Sequence, residues 1–327
     1  MGAEVERGKL RMLGGFTSAA TAYVGPTLKL GNLTLEKPEV ILFDMQALSR
    51  FTGRPLAGML GMNTVGKAKI FLNFERSVLQ VHAGPWRLAA PDCQEVELNK
   101  ESGIPEFDVR IGGHRVTFGI DTGFDGTFTL AAPLFEALVN DGTIELANVN
   151  ARGATPGGVS SVARGWFLRG RVMGRDLAGL SVESDPAYSN VGMKWLYGFN
   201  TEIDFAARKF RYQVRCHIQP PISVQMMIAC ILIYDDKGAL VERLRPGGGA
   251  AENAGLKPGD VIEEFGSLKA GEMNQATIGE MVAASADKEV AIRFLRKSDG
   301  SHVNTKLKLP PVISEWNFAG RDIFNGK

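Results

Sequence analysis

The sequence predicts a mainly β protein of two lobes, the first of them partial, followed by a smaller α+β unit. Three observations carry that prediction. Glycine supplies 39 of the 327 residues, scattered without a collagen period, so the chain must turn often. Between the glycines run short stretches of alternating apolar and polar residues, the period of half-buried strands. Several short motifs also recur once, in the same order, which points to a duplicated lobe.

The repeat fixes the layout. Gly14-Gly15-Phe16-Thr17-Ser18 is echoed 143 residues later by Gly157-Gly158-Val159-Ser160-Ser161, and the same offset carries Leu30-Gly31-Asn32 onto Met173-Gly174-Arg175. Leu60-Gly61-Met62 then matches Val191-Gly192-Met193, and Phe71-Leu72-Asn73-Phe74 matches Glu202-Ile203-Asp204-Phe205, both at an offset of 131. The second copy is therefore twelve residues shorter, near what reads in the first copy as a loop from Leu48 to Pro55.

Both copies read as antiparallel β. Thr27 to Leu30 and Leu33 to Leu35 flank a Gly-Asn turn, and Val109 to Ile111 and Arg115 to Phe118 flank Gly112-Gly113-His114. Helix is expected only over Ala132 to Leu138 and Met193 to Tyr197. His217 to Pro221 reads as a linker. Beyond it a strand is expected at Gly238 to Leu244, a helix at Gln275 to Ala286 and a strand at Glu289 to Leu295, with Pro310-Pro311 closing the unit. The predicted domains are a partial first lobe over 1–99, a second lobe over 100–216, the α+β unit over 217–312 and a tail over 313–327.

Composition excludes several functions. Apolar residues at 44% and charged residues at 22% rule out wholesale disorder. Thirty-seven basic against 36 acidic side chains leave a net charge of +1, so no nucleic-acid partner is expected. The longest apolar run, Met226 to Tyr234, is too short to span a bilayer as a helix. Cys93, Cys216 and Cys230 have no metal or redox spacing, and His82, His114, His217 and His302 are isolated, so neither metal nor cofactor is expected. The first residues contain no apolar signal core, which leaves the compartment open; export to the periplasm or medium would need a signal upstream.

One motif carries chemistry. Asp121-Thr122-Gly123 is delivered by the apolar strand Val116 to Ile120 and followed by Phe128-Thr129-Leu130. With the glycine hairpin before it and the Gly-Gly loop after it, this arrangement resembles the retropepsin-like and pepsin-like aspartic proteases. The resemblance spans Gly103 to Tyr212 in full and Lys9 to Val81 in part. It implies a two-lobed acid-protease β fold and hydrolysis of a peptide or protein substrate. Asp121 would be one catalytic carboxylate, Thr122 would hold two such loops together, and Gly123 would leave room for water and substrate. Gly157 and Gly158 would lie near the tip of a flap, and Val191-Gly192-Met193 resembles the element that buttresses the active-site loop. Phe124 departs from the small residue usual at that place.

That chemistry needs two carboxylates about 3 Å apart, which share one proton because both cannot ionise. The ionised member activates a water and the protonated one donates to the peptide carbonyl. The first copy has no Asp-Thr-Gly; the repeat offset puts its counterpart about 22 residues before Met1. Asp44 is no substitute, since it follows the first flap and lacks Thr-Gly. Three explanations stand open: a chain that begins too late, a homodimer pairing two Asp121 loops, or an inactive peptide-binding scaffold.

The run from Arg245 through Gly255-Leu256-Lys257-Pro258-Gly259-Asp260-Val261-Ile262 resembles PDZ domains, over Ser223 to Leu309. The resemblance implies a C-terminal peptide ligand added along the strand Met226 to Leu232, with Met226, Met227 and Ile228 in the groove beside the helix holding Ile278. The same three residues also read as ordinary core. Asp260 is expected to bond local backbone.

Overall fold

The structure is a computed structural model and describes residues 4–11, 17–30, 33–42, 44–61, 65–66, 68–89, 91–99, 104–155, 158–215, 227–244 and 249–311. These form two compact units. One comprises the described parts of Met1–Phe43 and Met59–Gln219; the other comprises those of Asp44–Gly58 and Pro220–Glu315. The architecture is mainly β, as the glycine turns and period-two runs predict.

The larger unit opens with β1 (Glu4–Arg11), β2 (Thr17–Val24), β3 (Leu28–Leu30), β4 (Leu33–Leu35) and β5 (Glu39–Ile41). The chain then makes the helix α1 (Gln46–Thr52), which belongs to the smaller unit, and returns as β6 (Lys69–Asn73), β7 (Val78–His82) and β8 (Gln94–Glu97). There follow β9 (Glu106–Ile111), β10 (His114–Ile120), β11 (Phe128–Ala131), α2 (Ala132–Asn140), β12 (Ile144–Thr155) and β13 (Gly158–Phe167). The unit ends with β14 (Arg171–Val172), β15 (Arg175–Asp176), β16 (Ser181–Asp185), β17 (Asn190–Val191), α3 (Met193–Leu196), β18 (Phe199–Asp204) and β19 (Lys209–Val214).

A seven-stranded sheet runs β12-β13-β16-β11-β17-β10-β9, and a five-stranded sheet runs β7-β6-β18-β19-β8. A three-stranded sheet, β1-β2-β5, parallels β12-β13-β16 in its connections. The β9–β10 hairpin turns through Gly112 and Gly113 at φ +57° and +86°, the left-handed pair that two-residue hairpins need. Beneath the seven-stranded sheet, Phe128 packs on Phe118, Phe167 and Trp195 with ring centroids 5.4, 5.6 and 5.0 Å apart. All four rings are fully buried, and Phe135 and Leu138 of α2 join the same core.

Local features recur at the 131-residue spacing. Arg76 N–H donates to Asn73 Oδ1 at 2.9 Å, and Ala207 N–H donates to Asp204 Oδ1 at 2.8 Å. Ser77 and Arg208, which close the two turns, both take left-handed backbone, at φ 51° and 55°. Val65 N–H bonds Gly61 O at 3.3 Å, and Leu196 N–H bonds Gly192 O at 3.0 Å. Among the described residues, β9, β10, β11 and α2 have no counterpart in the first half.

The smaller unit contains β20 (Cys230–Asp235), β21 (Gly238–Leu244), α4 (Ala250–Asn253), β22 (Val261–Phe265), β23 (Leu268–Lys269), α5 (Gln275–Ala284), β24 (Glu289–Leu295) and β25 (His302–Lys308). Its sheet runs β20-β21-β22-β24-β25, with β23 on β22, and β20 is an edge strand. Ile278 and Val282 of α5 are buried in its core with Val241, Ile262, Ile292 and Phe294. Asn274 caps α5: its Oδ1 accepts Ala276 N–H at 3.0 Å and Thr277 N–H at 3.1 Å, while Thr277 Oγ1 accepts Asn274 N–H. Gly255, at φ +81°, follows α4 as a helix C-cap glycine does. Asp260 is buried, its carboxylate accepting Lys257 N–H at 2.8 Å and Lys297 N–H at 3.0 Å, the structural role expected of it.

Two local expectations need correcting. The stretch read as a loop from Leu48 to Pro55 contains helix α1, stopped by Gly53 at φ 70°. A left-handed glycine with a proline two residues on is a helix stop, and an insertion without a long apolar period hides it. The strand expected from Met226 to Leu232 begins only at Cys230, because Met227 and Ile228 form a helical turn and Ala229 reverses the chain at φ 61°.

Candidate active site

Asp121 leaves the end of β10, the strand next to the β9 edge of the seven-stranded sheet. β17 lies parallel to β10, with Gly119 beside Asn190 and Ile120 beside Val191, and antiparallel to β11, with Phe128 beside Val191. The short strand β17 therefore fills the gap between the strand entering the loop and the strand leaving it. A Cβ on Gly119 would lie 2.5 Å from Asn190 Oδ1, so a larger residue there would make the Asn190 side chain turn aside.

The loop itself is pinned by backbone. Asp121 N–H donates to Val191 O at 3.0 Å, and Gly192 N–H to Thr127 O at 2.9 Å. Met193 N–H donates to Phe124 O at 2.8 Å, and Lys194 N–H to Gly126 O at 3.1 Å. Gly192 fits because it lacks a side chain: a Cβ there would stand 2.4 Å from Gly126 O and from Phe124 Cδ1. The Phe124 ring closes over Gly126, whose own Cβ would come within 2.1 Å of Phe124 Cζ. This explains the departure at 124, since the ring covers glycine rather than intruding on a larger neighbour. Below the loop, Thr127 Oγ1 donates to Ser181 O at 2.6 Å, and Thr129 Oγ1 accepts Asn190 N–H at 3.1 Å. Ser181 and Asn190 have one signal in the sequence, the alternation of Thr127, just before β11, with Thr129 within it.

The Asp121 carboxylate is half-buried, and its Oδ1 accepts Gly123 N–H at 2.8 Å. Burial pushes its pKa above the ordinary aspartate value, against the opposing pull of the Gly123 and Phe124 N–H groups. Such a group holds its proton more readily than a solvated aspartate, the property required of the protonated half of a carboxyl pair. Thr122 is exposed on the loop, as is Gly123.

The other predicted positions are dispersed. Gly158 starts β13 and pairs with Thr155 at the closed end of the β12–β13 hairpin, which forms one edge of the sheet that carries Asp121. Gly157 and Met226 lie outside the described residues. Met227 and Ile228 are 0% and 2% exposed and belong to the core of the smaller unit. Among the described residues, no group of His, Cys, Asp or Glu side chains is placed to hold a metal ion, and no helix is long and apolar enough to cross a membrane.

Another buried carboxylate, besides that of Asp260, is marked by no motif in the sequence. Glu202 on β18 is fully buried; its Oε2 accepts Arg87 N–H at 2.7 Å and Leu88 N–H at 2.8 Å, and His82 Nε2 stands 3.0 Å from Oε1. These partners are backbone and a histidine of the five-stranded sheet, so Glu202 ties that sheet to the chain after β7 and has the contacts of a structural group.

No family model matches the chain, and no curated protein matches it. Among solved structures, the crystal structure of a retropepsin-like aspartic protease from Rickettsia conorii is similar to part of it, at 16% identity over 37% of this chain and 89% of that one, with a TM-score of 0.27.

Proposed function

We propose that the chain is an aspartic-type endopeptidase, in which Asp121 supplies one of two catalytic carboxylates and the smaller unit is a PDZ domain that binds a peptide or partner. The observation that carries this reading is the setting of Asp121. A carboxyl raised by burial sits on a tight Asp-Thr-Gly loop, and four backbone hydrogen bonds hold that loop to Val191-Gly192-Met193-Lys194. The rigidity serves catalysis, since a carboxylate that activates water must keep its geometry within a fraction of an ångström.

Peptide hydrolysis needs a second carboxylate about 3 Å from the first. It comes from a matching loop of a first lobe or from Asp121 of a second copy of this chain. The features that recur 131 residues apart support two lobes of one origin. The PDZ reading is supported by the edge strand β20, the capped helix α5, and the Gly255, Gly259 and Asp260 turn that leads into β22.

The test is cleavage of an unstructured protein at acidic pH by the wild-type chain and by Asp121→Asn. Cleavage that falls about a hundredfold or more in the variant supports the assignment. Equal rates would remove Asp121 from the mechanism, and no cleavage by either chain would favour the scaffold reading.

A further inference from the structure

We propose that the groove between β20 and α5 is a peptide-docking site already held by residues 44–58 of the same chain, which act as a displaceable internal ligand. The inference rests on reading the smaller unit as a peptide-binding module and adds what regulates it.

The first observation is where α1 lies. Although it falls between β5 and β6 in sequence, it packs on β20, the edge strand, and on α5. An edge strand beside a helix is the place where a module of this kind accepts an added segment. The second observation is closeness. At Gly53 a Cβ would stand 2.7 Å from Asn274 Cβ, 2.8 Å from Asn274 Cα and 2.9 Å from Tyr234 Cβ. The backbone of the segment thus touches the capping residue of α5 and the edge strand at one point, and only glycine at φ +70° allows it.

The third observation is the construction of the segment. Asp44 Oδ1 accepts Gln46 N–H at 2.8 Å, Gly53 N–H bonds Ser49 O, and Ser49 Oγ accepts Leu56 N–H at 2.9 Å. The segment closes on itself and pays little ordering entropy on docking, as a preformed ligand does. The fourth is charge. Arg50 and Arg54 of the segment line one cleft of about 360 Å³ together with Asp235 and Asp236 at the end of β20. Basic side chains of the docked segment thus share a cleft with acidic ones of the module. Finally, the segment lies where the first half is twelve residues longer than the second, so the repeated lobe can be built without it.

An external peptide must compete with a tethered copy whose effective concentration is about millimolar. The probe is a fluorescein-labelled synthetic peptide of residues 44–58, titrated by anisotropy into the full chain. Gly53→Val should expel the internal segment and tighten binding of the probe about tenfold over wild type. Arg50→Glu with Arg54→Glu in the chain, which leaves the backbone alone, should do the same and guards against misfolding of the first variant. Equal affinity for wild type and both variants would overturn the internal-ligand proposal while leaving the groove as a binding site. No binding to any of the three chains would overturn the groove itself, and the proposal with it.

Discussion

Phe71 stands directly opposite Glu202 where β6 and β18 pair antiparallel. These two residues also hold equivalent positions in the sequence repeat. In an antiparallel pair generated by a local two-fold axis, a residue faces its own equivalent only at the axis, so this register puts the axis between Phe71 and Glu202. The order β7-β6-β18-β19 is then symmetric about it, β7 answering to β19. The repeat and the register are independent observations, one made on letters and one on hydrogen bonds. The equivalents themselves have diverged, Phe71 being half-buried and Glu202 fully buried.

Glu202 therefore gives the first prediction. Glu202→Ala would leave the buried Leu88 N–H and the part-buried Arg87 N–H without their acceptor, and His82 without the carboxylate 3.0 Å away. The cost should be about 3 kcal/mol or more, read as a lower urea midpoint for the larger unit. Glu202→Gln keeps an oxygen for the two N–H groups and should lose less than half as much. If alanine proves no worse than glutamine, those N–H groups find water instead.

Gly192 gives the second. Its backbone is extended, at φ −104°, so the objection to a side chain is steric alone. A Cβ would press on the carbonyl oxygens of Gly126 and Phe124, at 2.4 and 2.7 Å, and backbone oxygens cannot rotate away. Gly192→Ala should cost about 2–3 kcal/mol by overpacking. Gly84→Ala, where the nearest atom to a new Cβ is 3.7 Å away, should stay within about 0.5 kcal/mol of wild type. Similar losses at both sites would mean that the loop yields and that the contact with β17 does not fix Asp121.

How much of this was legible in the sequence depends on the range of the interaction. The hairpin at Gly112-Gly113 could be read because a two-residue turn is fixed by its own residues. The Asp121 loop could be read because a strand, a three-residue motif and a strand follow one another directly. The alliance of β6 with β18 and the docking of α1 on β20 join residues more than a hundred positions apart, and no local period encodes them. The apolar side chains of Met227 and Ile228 predict a strand. Burial in a helical turn before β20 needs the same side chains, and the left-handed reversal at Ala229 has no glycine to announce it. Glu202 was invisible for a related reason: one acidic residue inside a strand reads as a solvent-facing position until its backbone partners are seen.

The third prediction concerns pH. Burial raises the Asp121 pKa above 3.8, so the folded chain holds that proton more firmly than the unfolded one. The stabilisation this group provides is complete below pH 3.8 and is lost as pH rises through its folded-state value. Asp121→Asn retains an oxygen for the Gly123 N–H and never ionises. The variant should therefore melt at a higher temperature than wild type at pH 7, with the difference closing towards pH 3. A difference that widens on acidification would show that the carboxylate is stabilised in the fold, and would contradict its assignment as a proton-holding group.

The fourth concerns the turn into β22. Asp260 is 1% exposed and accepts two backbone N–H groups, one on each oxygen, from Lys257 and from Lys297. Those donors lie 40 positions apart in the chain, so one side chain fastens the turn after α4 to the end of β24. Asp260→Ala strands both donors and should cost the smaller unit about 2–4 kcal/mol. Asp260→Asn is usually a mild change, but here its amide NH₂ must point at one of the two N–H groups, setting donor against donor. It should recover no more than half of the alanine loss, measured as the chemical-denaturation midpoint of the smaller unit. An asparagine variant as stable as wild type would mean that only one of the two hydrogen bonds holds the turn, and that β24 is registered against β22 by strand pairing alone.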